Sequence, residues 1–220
     1  MKKKVLIFGT TMFSAEIAEI LSFNDIEVVG YVVDSEFKNC DKYQDLPVYV
    51  FENIENVVDI KTTEFALTLG YSEMNEYREN KYKICKSKGY RVFTFVSSQA
   101  QVLTKHIGEG SLILPGTYIG PYTQIGVCTV VRPGTVLAHH DIIGDFNWIA
   151  DGCTFGGGVK MGNFGFIGLG TTVRNELSIA DYTFIGAHSY VRKNTERNRA
   201  YYGVPAIEIG KKSKEVIKQV

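Results

Sequence analysis

Cysteine is scarce in this chain: Cys40, Cys85, Cys128 and Cys153 form no CxxC pair, and no histidine stands at metal-ligand spacing from them. A cysteine-based metal site is therefore not expected. Long apolar runs are missing as well, and the longest is far too short to span a bilayer. The start, Met1-Lys2-Lys3-Lys4, runs straight into an apolar strand without the hydrophobic core of a signal peptide. Four cysteines without an export signal imply reduced thiols and a cytoplasmic location. Neither charge is in excess, with 24 basic against 24 acidic residues, so nothing marks a nucleic-acid or membrane-surface binder.

What is present suffices for one large domain or two small ones, since 45% of the 220 residues are apolar. Glycine is plentiful at 22 residues, most of them after position 107. That asymmetry is the first sign of two architectures.

A strict period of six runs through the second half: Ile107, Ile113, Ile119, Ile125, Val131, Leu137, Ile143, Ile149, Phe155, Met161, Ile167, Val173, Ile179, Ile185 and Val191. Gly or Ala usually follows each of these, and Thr or another small residue usually stands two places before, as at Thr117, Thr123, Thr129 and Thr135. Six matches neither the period of an α-helix, about 3.6, nor the alternation of a strand. It fits a solenoid of very short strands, each contributing one inward apolar residue, with a small residue beside it at a tight corner. A β-sandwich, with turns about every 8–12 residues, would not hold this phase.

The first half reads differently. Lys4–Phe8 is a buried strand ending at Gly9, Thr10–Phe13 a loop, and Ser14–Leu21 an amphipathic helix. Val28–Val33 is a second buried strand ending at Asp34; later come a strand at 65–69, a helix over 73–88 and a strand at 91–95. This order predicts a small parallel sheet with helices, a Rossmann-like α/β domain over 1–96, followed by a coil domain over 97–220 with a short terminal helix in its basic tail. Ligands of such sheets bind beyond the carboxyl ends of the strands, here Gly9–Phe13 and Asp34. The three-glycine dinucleotide fingerprint is lacking, which argues against NAD. Two readings of each feature stand: Gly9 is a ligand loop or a plain turn, and Asp34 a ribose or base contact or a turn cap.

Only four histidines occur: His106, His139, His140 and His188. A solenoid face needs none of them for stability, so His139-His140-Asp141 stands out within the repeat. An imidazole near neutral pH can take a proton from an attacking amine or hydroxyl. The plainer reading is a polar cluster at a coil corner. Three sequential residues point in different directions and have no second cluster to complete a metal site. No Ser or Cys stands in a nucleophile setting, which favours direct transfer over a covalent intermediate.

Four features together carry a family resemblance: the six-residue run, the strand-loop-helix of Lys4–Leu21, the segment Leu137-Ala-His-His-Asp-Ile-Ile-Gly-Asp-Phe146, and Gly203-Val-Pro-Ala-Ile207. With these the chain resembles the hexapeptide acyltransferases that O-acetylate sialic acid or N-acetylate nucleotide-linked amino sugars. The resemblance implies a left-handed parallel β-helix, a homotrimer with active sites between subunits, and acetyl-CoA lying along the β-helix with no metal. It implies a UDP- or dTDP-linked 4-amino-deoxysugar as acceptor, made for a surface glycan, and a nucleotide held by Gly9, Thr10, Thr11, Phe13 and Asp34. O-acetylation of a sugar hydroxyl and a non-catalytic trimeric scaffold are the alternatives.

By the same resemblance His139 is the general base. The acidic position that follows the base in relatives is filled by His140, and Asp141 comes one place later, so either His140 shares the base role or Asp141 replaces the missing acid from a different direction. Where some relatives carry a second histidine near the thioester this chain has Trp148, which can pack against pantetheine. Gly156 and Gly157 match a stretch whose backbone amides contact the acyl group, and Leu169 and Ala187 would lie on the same CoA path. The loop Gly9-Thr-Thr-Met-Phe13 departs from the relatives' Gly-x-Ser-Gly-His, which points to a different sugar or base preference.

Overall fold

The computed structural model describes residues 3–218 and 220, and it divides into two compact units. One contains the chain up to Gly70 together with Asn80–Phe93; the other contains Tyr71–Glu79 and everything from Thr94 onward. Met1, Lys2 and Gln219 lie outside the described residues, and with them part of the lysine-rich start. The junction at Phe93–Thr94 falls a few residues before the expected one, and the excursion at 71–79 was not expected.

The first unit runs β1 (Lys4–Phe8), α1 (Met12–Ser22), β2 (Glu27–Val33), β3 (Lys42–Tyr43), β4 (Leu46–Val50), β5 (Thr63–Ala66), the helix α2 (Glu76–Ser87) that ends here, and β6 (Arg91–Val92). These strands lie in the order β3-β4-β2-β1-β5-β6, parallel throughout except for the β3–β4 hairpin. Val5–Phe8 and Tyr31–Val33 are buried, as near-continuous apolar strands of a parallel sheet require. Ile17 and Leu21 supply the buried side of α1. Because β1 and β2 are parallel, Gly9 and Asp34 follow the same edge of the sheet.

Four elements differ from expectation. Helix α1 opens at Met12 rather than Ser14, because Thr11 caps it, so Met12 and Phe13 belong to the helix and not to the loop. The helix expected from residue 73 opens at Glu76, because Glu73 and Met74 have φ of 50° and 54°, a left-handed backbone that no α-helix passes through. The single strand expected over 91–95 is two: Arg91–Val92 pairs with β5, whereas Phe95–Val96 pairs with Leu112–Ile113 of the second unit. The strand expected at 65–69 is β5, which has already ended at Ala66.

In the second unit nearly every strand is two residues long and pairs in parallel with the strand eighteen residues on, as Val136–Leu137 does with Thr154–Phe155. Three stacks result. One face runs from Gln101–Val102 to Tyr190–Val191, a second from Gln124–Ile125 to Ser178–Ile179, and a third from Phe95–Val96 to Ala200–Tyr202. From Ile113 to Val191 the six-spaced residues are buried and form the core, with Ile107 packed against it. Such stacking is consistent with a parallel β-helix.

The small residues of the repeat have defined tasks. Hydroxyls two places before the apolar residue donate to the carbonyl fifteen residues ahead: Thr123 to Ala138 at 2.9 Å, Thr129 to Gly144 at 2.9 Å and Thr135 to Ala150 at 3.0 Å. Each hydroxyl thereby satisfies a carbonyl that the corner takes out of the ladder. Corner glycines permit close stacking: a methyl on Gly120 would lie 2.2 Å from the Ala138 oxygen.

Tyr71–Glu79 packs on the third face. The Tyr71 ring meets Trp148 and Phe166 edge-on, at 5.1 and 4.9 Å. Arg78, fully buried, donates from Nε to the Cys128 carbonyl at 3.0 Å and from Nη2 to the Asn147 carbonyl at 3.1 Å. Burial lowers its pKa to about 10, so the group stays charged at neutral pH. The chain ends in α3 (Ser213–Ile217), with Val216 and Ile217 buried. Among the described residues no helix is long and apolar enough to cross a membrane.

Candidate active site

His139 and His140 lie exposed at a corner between the first and second faces, after Val136–Leu137 and before Ile142–Ile143. Their Nδ1 atoms are 3.0 Å apart, with the rings near perpendicular. At that distance one Nδ1 carries the proton and the other accepts it. If His139 is the donor, its Nε2 keeps a lone pair and is competent as a base; the opposite arrangement leaves His139 Nε2 protonated. Tyr122, one coil below, stacks on His140 at 4.6 Å between centroids. His140 itself has φ of 60°, an uncommon conformation for a residue with a side chain.

One coil above, Gly157 faces the His139 ring: a methyl there would lie 2.4 Å from Cε1 and 2.7 Å from Nε2. The glycine run is tied to the same corner, since the Gly158 amide donates to the His139 carbonyl at 2.9 Å and the Gly157 carbonyl accepts from Glu176 at 3.0 Å. The Gly157 amide itself donates to no protein acceptor among the described residues. Two imidazoles and an available amide thus converge on one exposed corner.

Asp141 makes no hydrogen bond to His139 among the described residues. Its side chain turns inward, fully buried, and Oδ1 accepts from the Val159 amide at 2.8 Å. Oδ2 has no hydrogen-bond partner among the described residues. Burial raises the carboxyl to about 6, against opposing pulls from the backbone at Val159, Ala138 and Gly158 and from the His139 charge. Of the two candidates read from the sequence, it is His140 that meets the imidazole.

Trp148 also lies apart. It belongs to the third face, nearly buried against Tyr71, with the Arg132 guanidinium 5.9 Å from its ring centroid. Leu169 and Ala187, eighteen residues apart and both exposed, stack on the corner after the third face, whereas Gly156 and Gly157 share the His139 corner. The residues expected on one CoA path thus occupy two corners of this chain. Among the described residues no cluster of three or more His, Cys, Asp or Glu is placed to hold a metal.

In the first unit, Gly9 has φ of 112° and carries the chain from β1 into α1. Thr10 is partly exposed and Thr11 exposed, but Thr11 is the helix N-cap: its Oγ1 accepts from the Ser14 amide at 3.2 Å. Phe13 lies in the first turn of α1. Asp34 is engaged within the protein, paired with Lys81 at 2.6 Å, with both side chains largely buried. It therefore offers no open carboxylate to a ribose, and it does not cap the short 3-10 turn at Ser35–Phe37 either. Sequence reasoning missed Lys81 altogether, a charged residue on an unremarkable helix. It also missed Tyr122, although Tyr122 stands eighteen residues before His140 and the repeat could have found it.

A parallel α/β unit joined to a coil of short parallel strands is a fold found among acetyltransferases. The acetyltransferase domain of PglB from Neisseria gonorrhoeae superposes with a TM-score of 0.85 at 17% identity, covering 94% of this chain and 100% of that one. A second structure of that domain, in complex with acetyl coenzyme A, gives 0.85 at 16% over 95% and 100%. PerB from Caulobacter crescentus, in complex with CoA and GDP-perosamine, gives 0.84 at 20% over 94% and 97%. WeeI from Acinetobacter baumannii gives 0.83 at 20% over 93% and 99%. No family model and no curated protein sequence matches the chain.

Proposed function

We propose that this protein is an acetyl-CoA-dependent N-acetyltransferase acting on a nucleotide-linked 4-amino-deoxysugar destined for a surface glycan. The observation that carries the reading is the His139–His140 contact set against Gly157, on a fold shared with a domain solved with acetyl coenzyme A and an enzyme solved with GDP-perosamine. In this reading the coil is a left-handed β-helix and the first unit a Rossmann-like nucleotide site. Gly9, Thr10, Thr11 and Phe13 face the nucleotide at the carboxyl edge of the sheet. The working form is a cytoplasmic homotrimer. Leu169 and Ala187 then reach the cofactor from a different corner than Gly156 and Gly157, as two copies sharing one CoA would allow.

The acceptor amine attacks the thioester carbonyl while His139 Nε2 takes its proton. His140 Nδ1 accepts from His139 Nδ1–H, which holds the base in the working tautomer and supports the imidazolium that forms. The Gly157 amide is available to the developing oxyanion. Collapse of the tetrahedral intermediate breaks the carbon–sulfur bond, and CoA leaves as the thiol, protonated by the imidazolium.

Thiol release from acetyl-CoA tests this with UDP-, dTDP- and GDP-linked 4-amino sugars, with sialic acid for comparison. Release with an amino sugar that is lost in His139→Ala supports the reading. Release with sialic acid alone moves the enzyme to O-acetylation, and silence across the panel favours a scaffold.

A further inference from the structure

Asp141 occupies the slot that thread-like hydroxyl ladders fill elsewhere in the coil, two residues before an inward Ile. Each polar side chain seen bonding from this slot donates to a backbone carbonyl, fifteen residues ahead or three behind. Thr123 reaches Ala138, Cys153 reaches Gly168 at 3.2 Å, and Ser189 reaches back to Gly186 at 2.8 Å. The nearest analogue of Asp141 is Asn147. Its Oδ1 accepts from the amide eighteen ahead, that of Gly165, at 2.6 Å. Its Nδ2 donates both to Gly144, three behind, and to Gly162, fifteen ahead, each at 2.9 Å.

Asp141 reproduces the first half of that arrangement: Oδ1 accepts from Val159, eighteen ahead. Its second atom is an oxygen where Asn147 has an NH2, and the corresponding carbonyls are those of Ala138 and Gly156. An ionised carboxylate has nothing to donate to them, and Oδ2 is buried without a partner. A protonated carboxyl has one O–H, which the position calls for.

We propose that Asp141 enters the fold as a neutral carboxylic acid whose Oδ2–H donates to the Gly156 carbonyl, and that it positions the Gly156–Gly157 peptide against His139. Asp141 is thus a positioning residue, acting through the glycine run rather than on the substrate. Its direction of titration agrees: burial lifts the carboxyl from the ordinary 3.8 to about 6. Among the described residues His139 is the titratable group whose charge acts on it. Loss of the proton removes the donor to the Gly156 carbonyl and leaves a charge in a buried site, so the fold and the corner both weaken as pH rises. An acid with a raised folded value contributes stability below pH 4 that is lost as pH climbs through about 6.

Asp141→Asn is the test, because a carboxamide supplies the donor at every pH, as Asn147 does. The infrared difference between wild type and Asp141→Asn should contain a protonated-carboxyl C=O band at pH 5, where ordinary aspartates are ionised, and lose it by pH 8. The melting temperature of Asp141→Asn relative to wild type should rise between pH 4 and pH 7. Only the kinetic arm rests on the proposed activity: wild-type kcat should fall at high pH, whereas Asp141→Asn should keep activity and reach a plateau. Absence of the band at pH 5, or a gap in melting temperature that does not change with pH, overturns the proposal. Loss of activity in Asp141→Asn with the wild-type band present overturns the positioning role. A wild type without turnover that still shows the band removes the proposed function and leaves the protonated Asp141 standing.

Discussion

The imidazole of His139 lies against the α-carbon of Gly157, one coil above it, so closely that a single methyl would come within 2.4 Å of Cε1. The residue that best matches the acyl-contacting glycine of the resembled family is therefore also the surface on which the His139 ring rests. That close approach explains why a glycine stands at a corner that does not need its backbone freedom, since Gly157 has no positive φ.

Gly157→Ala should accordingly displace His139 without unfolding the coil. Misplacement of a catalytic group by about 1 Å costs on the order of 100-fold in rate, and a fall of that size in kcat is expected. Circular dichroism and melting temperature should stay near those of wild type. A variant with full activity would show that the ring moves aside freely and that the contact is incidental.

His140 is expected to matter through His139. Removal in His140→Ala leaves Nδ1 of the base without its acceptor and should lower kcat by at least about tenfold, or about 1.4 kcal/mol, with KM for the amino sugar little changed. His140→Asp, which restores the acid that relatives carry after the base, should recover most of the loss. His140→Ala as active as wild type would leave the tautomer of His139 to solvent.

Asp34 and Lys81 form a buried ion pair, so Asp34→Ala removes the carboxylate from a largely buried ammonium that lies 5.6 and 5.7 Å from the ring centroids of Phe8 and Phe51. Breaking one side of such a pair costs about 3–5 kcal/mol. Urea unfolding should report that loss, and Asp34→Ala with Lys81→Met should recover part of it. A variant with unchanged stability and a raised KM for the nucleotide sugar would restore Asp34 as a ligand.

The thiols should separate sharply. Burial raises Cys85 and Cys153 to about 12, and Cys128 is also buried, while Cys40 is partly exposed. At pH 8 a thiol reagent should modify Cys40 in the native protein and the other three after denaturation. Fast modification of Cys153 would mean that the coil opens locally.

The six-residue phase was legible from Ile107 to Val191 because those coils repeat every eighteen residues. It stopped short at both ends for a geometric reason. The first coil is a residue shorter, pairing Phe95 with Leu112 and Gln101 with Tyr118, so Val96 and Val102 fall out of phase. The last is shorter by two, pairing Phe184 with Ala200. In the α/β unit β1 and β2 were readable as apolar runs. The β3–β4 hairpin was not, because its turn uses Gln44 and Asp45 at φ of 47° and 61° where a glycine would have announced it. His139 was legible as a histidine in an unlikely place. Gly157 came only from the resemblance and Tyr122 not at all, since both are distant in sequence and adjacent to the histidines only once the coil is wound.

Winding in units of eighteen also makes the chain its own ruler. Tyr122 below His140 and Gly157 above His139 are each one graduation away, so the parts of the corner are aligned by counting rather than by any contact selected for the purpose. Excision of a whole coil remote from residues 122–158 should leave that alignment intact. A one-residue deletion between Leu137 and Phe155 slides every later graduation against its partners, and the site is lost before the fold is.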